Sequence, residues 1–170
     1  GVDFTYSQFF TIFGPLGVRL TGSIGAWADL AFGYDTQGFF DFAQSGEFVD
    51  IFNGFYVSDR ANADGTGSDV PEAQLYGSIV AAAELNLGIA SAGVSGGIYA
   101  TVDFNLNDPN GDGKVRAGEL LDNFLLGGIY IFDVSGKIEA GIKAYVEFLL
   151  WEYTWDIASV TLLDFSLPRP

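Results

Sequence analysis

The sequence contains no cysteine, no histidine and no methionine. Without cysteine there is no disulfide framework and no thiolate metal site, although secretion stays open because calcium can serve as the crosslink instead. Without histidine the usual transition-metal ligand, the Ser-His-Asp triad and the neutral-pH proton shuttle all drop out. Positive charge is also scarce, with 7 Lys and Arg against 22 Asp and Glu and a net charge of −15. Phosphate binding needs a cationic face, so nucleic acid is not an expected partner, and an acidic membrane surface would repel the chain. Apolar stretches are broken by Gly, Ser and acids, so no transmembrane helix is expected. The chain opens at Gly1 without a charged-then-apolar leader, which reads as a processed protein or a segment of a longer one.

What is present suits a folded domain. Of 170 residues 49% are apolar and 16% aromatic, enough for residues 1–170 to form a single β domain without staples. The 23 glycines punctuate segments with strand character. Val2 to Ile12 is rich in Phe, Thr and Tyr and ends at the turn pair Gly14-Pro15. Val18 to Tyr34 alternates, with Val18, Leu20, Gly22, Ile24 and Ala26 on one side and Arg19, Thr21, Ser23 and Gly25 on the other. Residues 35–57 read as an irregular aromatic connection with one helical turn near Phe39 to Gln44. Leu75 to Leu106 predicts a long hairpin turning near Ser91 to Gly93, and strand pattern returns at Ile129 to Val134, Gly136 to Leu150 and Trp155 to Leu167. Three runs, Gly22-Ser23-Ile24, Gly77-Ser78-Ile79 and Gly136-Lys137-Ile138, each open an alternating strand and read as equivalent strands of one sheet. The expected class is all-β, a jelly-roll-like β-sandwich or a barrel, with one short helix over Ala117 to Phe124.

The sharpest motif is the stretch from Asp108 to Glu119. It fits the twelve-residue calcium loop, whose oxygen ligands sit at positions 1, 3, 5, 7, 9 and 12. Asp108, Asn110 and Asp112 supply side-chain oxygens, Lys114 a backbone carbonyl, and Glu119 both carboxylate oxygens. Gly113 makes the sharp turn and Val115 is the apolar anchor. Arg116 at position 9 is not a ligand. A strand precedes the loop where an EF-hand has a helix, which favours a loop grafted on a β fold, as in dockerin-like or thrombospondin-like loops. A second candidate site is Asp59, Asn62, Asp64, Thr66, Asp69 and Glu72, whose carboxylates repel one another unless a cation relieves them; the competing reading is a solvated loop.

The runs Asp29 to Asp35, Asn53 to Asp59, Ala63 to Gly67, Asp69 to Glu72, Asp103 to Asn110, Ile131 to Asp133 and Thr161 to Phe165 resemble a domain of giant, multi-repeat, secreted calcium-binding surface proteins of cyanobacteria and planctomycetes. The resemblance implies an extracellular or cell-surface module without catalytic activity. Calcium is then the expected cofactor, and self-association or neighbouring domains of the same protein the expected partners.

Three other readings compete with this structural one. Trp151, Tyr153 and Trp155 share a strand face with the alternation needed to stack on polysaccharide rings, giving a calcium-dependent carbohydrate-binding module; core filling is the plainer account. An enzyme would have to rest on carboxylates such as Glu84 and Glu147, which sit on polar strand faces where acids are ordinarily solvated, so no enzyme is expected. A transmembrane β-barrel fits the alternation but ranks below the sugar binder, because no regular aromatic girdle is legible.

Overall fold

The computed structural model describes residues 1–167. The all-β expectation holds: strands dominate, the sheets are antiparallel, helices are few, and the described residues form no closed barrel. The chain divides into two compact units.

The first unit takes Gly1–Trp27, Leu75–Val102 and Gly136–Phe165. It is built on a six-stranded sheet of β1 (Val2–Phe13), β2 (Leu16–Ala28), β5 (Ala73–Asn86), β6 (Ala90–Leu106), β8 (Phe132–Phe148) and β9 (Trp151–Ser166), in that order. These are three hairpins side by side, so β1 and β9 are the edges. The three repeated Gly-initiated runs fall in β2, β5 and β8, as expected of equivalent strands.

Strand alternation sorts the side chains to two faces. The β1–β2 register sets Phe4 opposite Ile24 and Phe10 opposite Val18 on one face, with Ser7 opposite Thr21 on the other. The second face is polar and cross-linked. Ser7 and Thr21 hydroxyls meet at 2.9 Å, and those of Ser23 and Ser78 at 2.5 Å. Arg19 grips Glu84 through Nε and Nη2 at 2.8 and 2.7 Å. Tyr145 donates its hydroxyl to the same carboxylate, and Asn86 donates at 3.0 Å. Glu84 is 1% exposed, and the Arg19 guanidinium, offset by burial, holds its carboxyl below the usual range. Two glycines keep this face tight: a Cβ on Gly25 would strike the Tyr76 ring, and one on Gly93 the ring of Tyr145.

The hairpin turns fall where left-handed backbone is available. The β5–β6 turn sits at Leu87–Ile89, ahead of the Ser91–Gly93 expected, because Gly88 adopts φ of +86° and its amide donates to Asn86 Oδ1 at 2.9 Å. Strand β8 runs unbroken from Phe132 to Phe148 where the sequence suggested a break near Val134.

The second unit takes Ala28–Gln74, Asp103–Ser135 and the residues from Ser166. Its sheet has the order β3 (Ala31–Tyr34), β4 (Phe55–Ser58), β7 (Lys114–Arg116). The expected helical turn near Phe39 is a helix, α1 (Gln37–Ser45), closed by Gly46 in the left-handed conformation and followed by a 3-10 segment, Phe48–Gly54. Helix α2 (Ala117–Leu126) lies where a short helix was expected. No helix among the described residues is long and apolar enough to cross a membrane.

Removing the Glu84 carboxylate strands Arg19 and the Tyr145 hydroxyl. Glu84→Ala is expected to cost about 2–4 kcal/mol, less than a fully buried pair because Arg19 is partly solvated. Because the Glu84 pKa is depressed on folding, its contribution is complete above the unfolded carboxyl pKa and is lost as pH falls through the folded one. Urea denaturation at pH 7 and pH 3 checks both points: the mutant deficit should be large at pH 7 and shrink at pH 3.

Candidate metal centre

The loop from Asp108 to Glu119 enters from β6 and leaves through β7 into α2, with a strand on its upstream side as expected. Its ligand side chains already organise its backbone. Asp108 accepts from the Gly111 and Gly113 amides at 3.0 and 2.7 Å, Asn110 from Asp112 at 2.8 Å, and Asp112 from Lys114 at 2.9 Å. Glu119 accepts from the Arg116 amide at 2.9 Å, and its other oxygen accepts from Asn110 Nδ2 at 2.5 Å. Val115 is 0% exposed and lies opposite Val57 in the β4–β7 pairing, the anchor role its loop position requires. Gly113 has φ of +80°, and a Cβ there would strike the Gly65 carbonyl.

Arg116 acts as a clamp. It donates to Asp35 at 3.0 Å through each terminal nitrogen and to the Asn53 carbonyl at 2.8 Å. Lys114 Nζ reaches the same Asp35 carboxylate at 2.9 Å while lying 4.5 Å from the centre of the Tyr56 ring. Asp35, with the Arg116 guanidinium and then Lys114 beside it, stays well below the usual carboxylate range. Lys114 is 22% and Arg116 14% exposed, so the link fastens the start of the second unit to the exit of the twelve-residue loop.

The second candidate group divides. Asn62, Asp64 and Thr66 close a local exposed turn: Asp64 accepts from the Thr66 amide at 3.0 Å and hydroxyl at 2.6 Å, and Asn62 donates to Thr66 Oγ1 at 3.1 Å. Asp59 is instead acted on by the charges of Asp69, Glu72 and Asp108. The Asp59 amide donates to the Gly113 carbonyl at 3.1 Å, which fixes one acidic loop on the other. Asp59 is 3% exposed, and its Oδ1 has no hydrogen-bond partner. Burial, then the charges of Asp69, Glu72 and Asp108, push its pKa up to about 7. Glu72 is buried too, raised by desolvation, with one oxygen accepting from the Leu106 amide at 2.5 Å.

Asn105 is the residue that spacing alone did not reveal. Its Nδ2 donates to Asp69 at 2.7 Å, and its Oδ1 is buried without a partner. The only sequence signal was its position three residues before Asp108, inside a strand.

Among the described residues no three carboxylates already converge into an ion cage. A calcium ion in the twelve-residue loop would have to displace the Asn110–Glu119 hydrogen bond. Burial, with the Asp108 and Asp112 charges, raises the Glu119 pKa. Trp151, Tyr153 and Trp155 lie elsewhere, along β9, at 79%, 64% and 47% exposure, with the last two rings 4.7 Å apart.

The raised pKa of Asp59 has a defined sign. Between the unfolded value near 4 and the folded value near 7, the folded state holds a proton that the unfolded state lacks, so stability falls as pH rises across that window. In EDTA, the wild type should melt higher at pH 5 than at pH 7.5. Asp59→Asn should flatten that slope and raise the pH 7.5 midpoint by roughly 2–4 °C, equivalent to about 1 kcal/mol for a chain of this size. Thermal melts at the two pH values decide it; an unchanged slope in the variant would move the proton-binding group elsewhere. No family model matches the sequence, and neither curated proteins nor solved structures yield a similar protein, so the reading of these loops rests on their own chemistry.

Proposed function

We propose that this chain is a calcium-binding structural module of the cell surface or extracellular space, in which the ion stabilises the fold of the loop unit and its contacts with neighbouring copies or domains. The supporting observation is the buried, unpartnered Asp59 oxygen set among Asp69, Glu72 and Asp108. Holding like charges out of water without a cation costs free energy, and a divalent ion converts that cost into binding. The loop beside it carries the twelve-residue ligand order and a buried anchor.

Sites of this kind in extracellular modules bind calcium at roughly 10⁻⁴ to 10⁻³ M, so they fill outside the cell and not in a resting cytosol. Binding only the folded state couples export to stability. The resemblance to giant secreted surface proteins agrees with this setting. The carbohydrate reading is weaker, because Trp151, Tyr153 and Trp155 share their face with Ile157 and Phe148, whereas a sugar site needs polar groups beside the stacking rings. The enzyme reading loses its strongest carboxylate, since Glu84 is fully engaged by Arg19, Tyr145 and Asn86.

Calcium at about ten times its dissociation constant should add roughly 1.4 kcal/mol, raising the midpoint by about 3–6 °C. Asp112→Ala should abolish the rise. Melting and light scattering across added calcium test the whole reading. A rise with growing particle size supports assembly, and a rise in a monomer makes calcium a staple. A flat response in the wild type reduces the loop to a turn and removes the proposal.

A further inference from the structure

The apolar face of the six-stranded sheet carries a second inference, independent of calcium. Each strand turns a large aliphatic or aromatic side chain to it: Phe4, Ile24, Ile79, Ile98, Ile142 and Ile157, between 47% and 74% exposed. Every charged residue of the strands in this unit falls in the opposite register. The ion pairs Arg19–Glu84 at 2.7 Å and Lys143–Asp156 at 3.5 Å fix that register for β2, β5, β8 and β9. The burial is inverted relative to a water-soluble sheet. In the central strands β5 and β6 the polar face is the shielded one, holding buried Glu84, Ser91 and Ser95, while the apolar face is open; the edge strands β1 and β9 are exposed on both faces.

A second protein layer would also cover apolar surface, but four features specify lipid. The charge-free face extends over all six strands, which is far more than the few hundred Å² of apolar patch that a water-exposed surface ordinarily shows. Strand β1 has 12 residues and β2 has 13, which at about 3.3 Å per residue and a tilt of about 40° give a band roughly 30 Å high, the thickness of a bilayer hydrocarbon core. Phe10, Phe148, Trp151 and Tyr153 lie within four residues of the tight turns at Gly14-Pro15 and Leu149-Leu150, which places aromatics at one end of the strands, where a membrane interface favours them. Across β2, β5 and β8 the polar face carries small and hydrogen-bonded side chains, as in the lumen of a membrane strand wall.

We infer that this face contacts lipid hydrocarbon and that the six strands form part of a membrane-embedded β wall. In hydrocarbon every backbone group must be paired, so the edges β1 and β9 meet further strands and the wall extends edge to edge.

The absence of native cysteine makes the test direct. Single variants Ile98→Cys, on the apolar face, and Thr21→Cys, on the polar face, are labelled with an environment-sensitive fluorophore. The full chain is then reconstituted in phosphatidylcholine vesicles with or without brominated acyl chains; a zwitterionic surface avoids repulsion by the net charge of −15. Quenching should be severalfold greater at residue 98 than at residue 21, and Ile98→Lys should reduce co-flotation with vesicles about tenfold or more while Thr21→Lys does not. Failure of the wild type to float, equal quenching at both positions, or a lipid-free dimer that shields residue 98 would overturn the inference, the last by making the face a contact between copies. None of these outcomes depends on calcium.

Discussion

Side-chain alternation, held in one phase through six strands, is the constraint on which the first unit depends. Because a strand turns successive residues to opposite faces, one misplaced charge would bring Lys or Glu among Phe4, Ile24 and Ile98. The chain avoids this in every strand. The polar face is then free to specialise in satisfied hydrogen bonds, with Arg19, Glu84, Asn86 and Tyr145 forming one network across β2, β5 and β8. A buried network of this kind fixes register more than it adds stability, since slipping β2, β5 or β8 by one residue would take donors away from Glu84. Glycine serves the same end: at Gly25 and Gly93 the missing Cβ lets an aromatic ring lie across a neighbouring backbone.

The second unit obeys a different rule. Its strands are short, and its largest fully buried side chains are Val115 and Asn123. Asn123 donates to the Asn107 carbonyl at 2.8 Å, and the Asn107 amide donates to Ile131 at 2.9 Å, so hydrogen bonds take the place that a broad apolar core would have. A unit built this way is sensitive to charge. The Asp35 clamp on Lys114 and Arg116 places charge compensation at the exit of the twelve-residue loop.

Much of this was legible in the sequence, and what was not has physical causes. Period two over Val18–Ala26 and Leu75–Leu87 gave the strands, and Gly14-Pro15 gave a turn, because alternation and turn chemistry are local. The twelve-residue loop and its anchor Val115 were legible for the same reason. The β5–β6 turn was misplaced because Gly88 and Gly93 look alike in sequence, and only the Asn86 side chain selects Gly88. The aromatics read as core filling are instead largely exposed, since composition records that a residue is apolar but not which solvent it meets. Asn105 and the split of the second acidic group were invisible, because they rest on pairings between segments far apart in the chain, Asn105 with Asp69 and the Asp59 amide with the Gly113 carbonyl.

The distribution of charge ties the two readings together. Of the 22 acids, fifteen lie in residues 28–74 and 103–135, where the cations are Arg60, Lys114 and Arg116. Two of those three are engaged by the single carboxylate of Asp35. The remaining acids, Asp59 and Asp108 among them, therefore outnumber any compensation the chain itself supplies. The strand segments, by contrast, hold few charges and place them all on one face. A sequence that strips charge from one sheet face and concentrates acid in the connecting segments has separated two solvents along its length. The proposed lipid contact would account for the first arrangement, and the proposed cation binding for the second. The two proposals are compatible with each other, because a membrane whose outer side faces calcium offers both media.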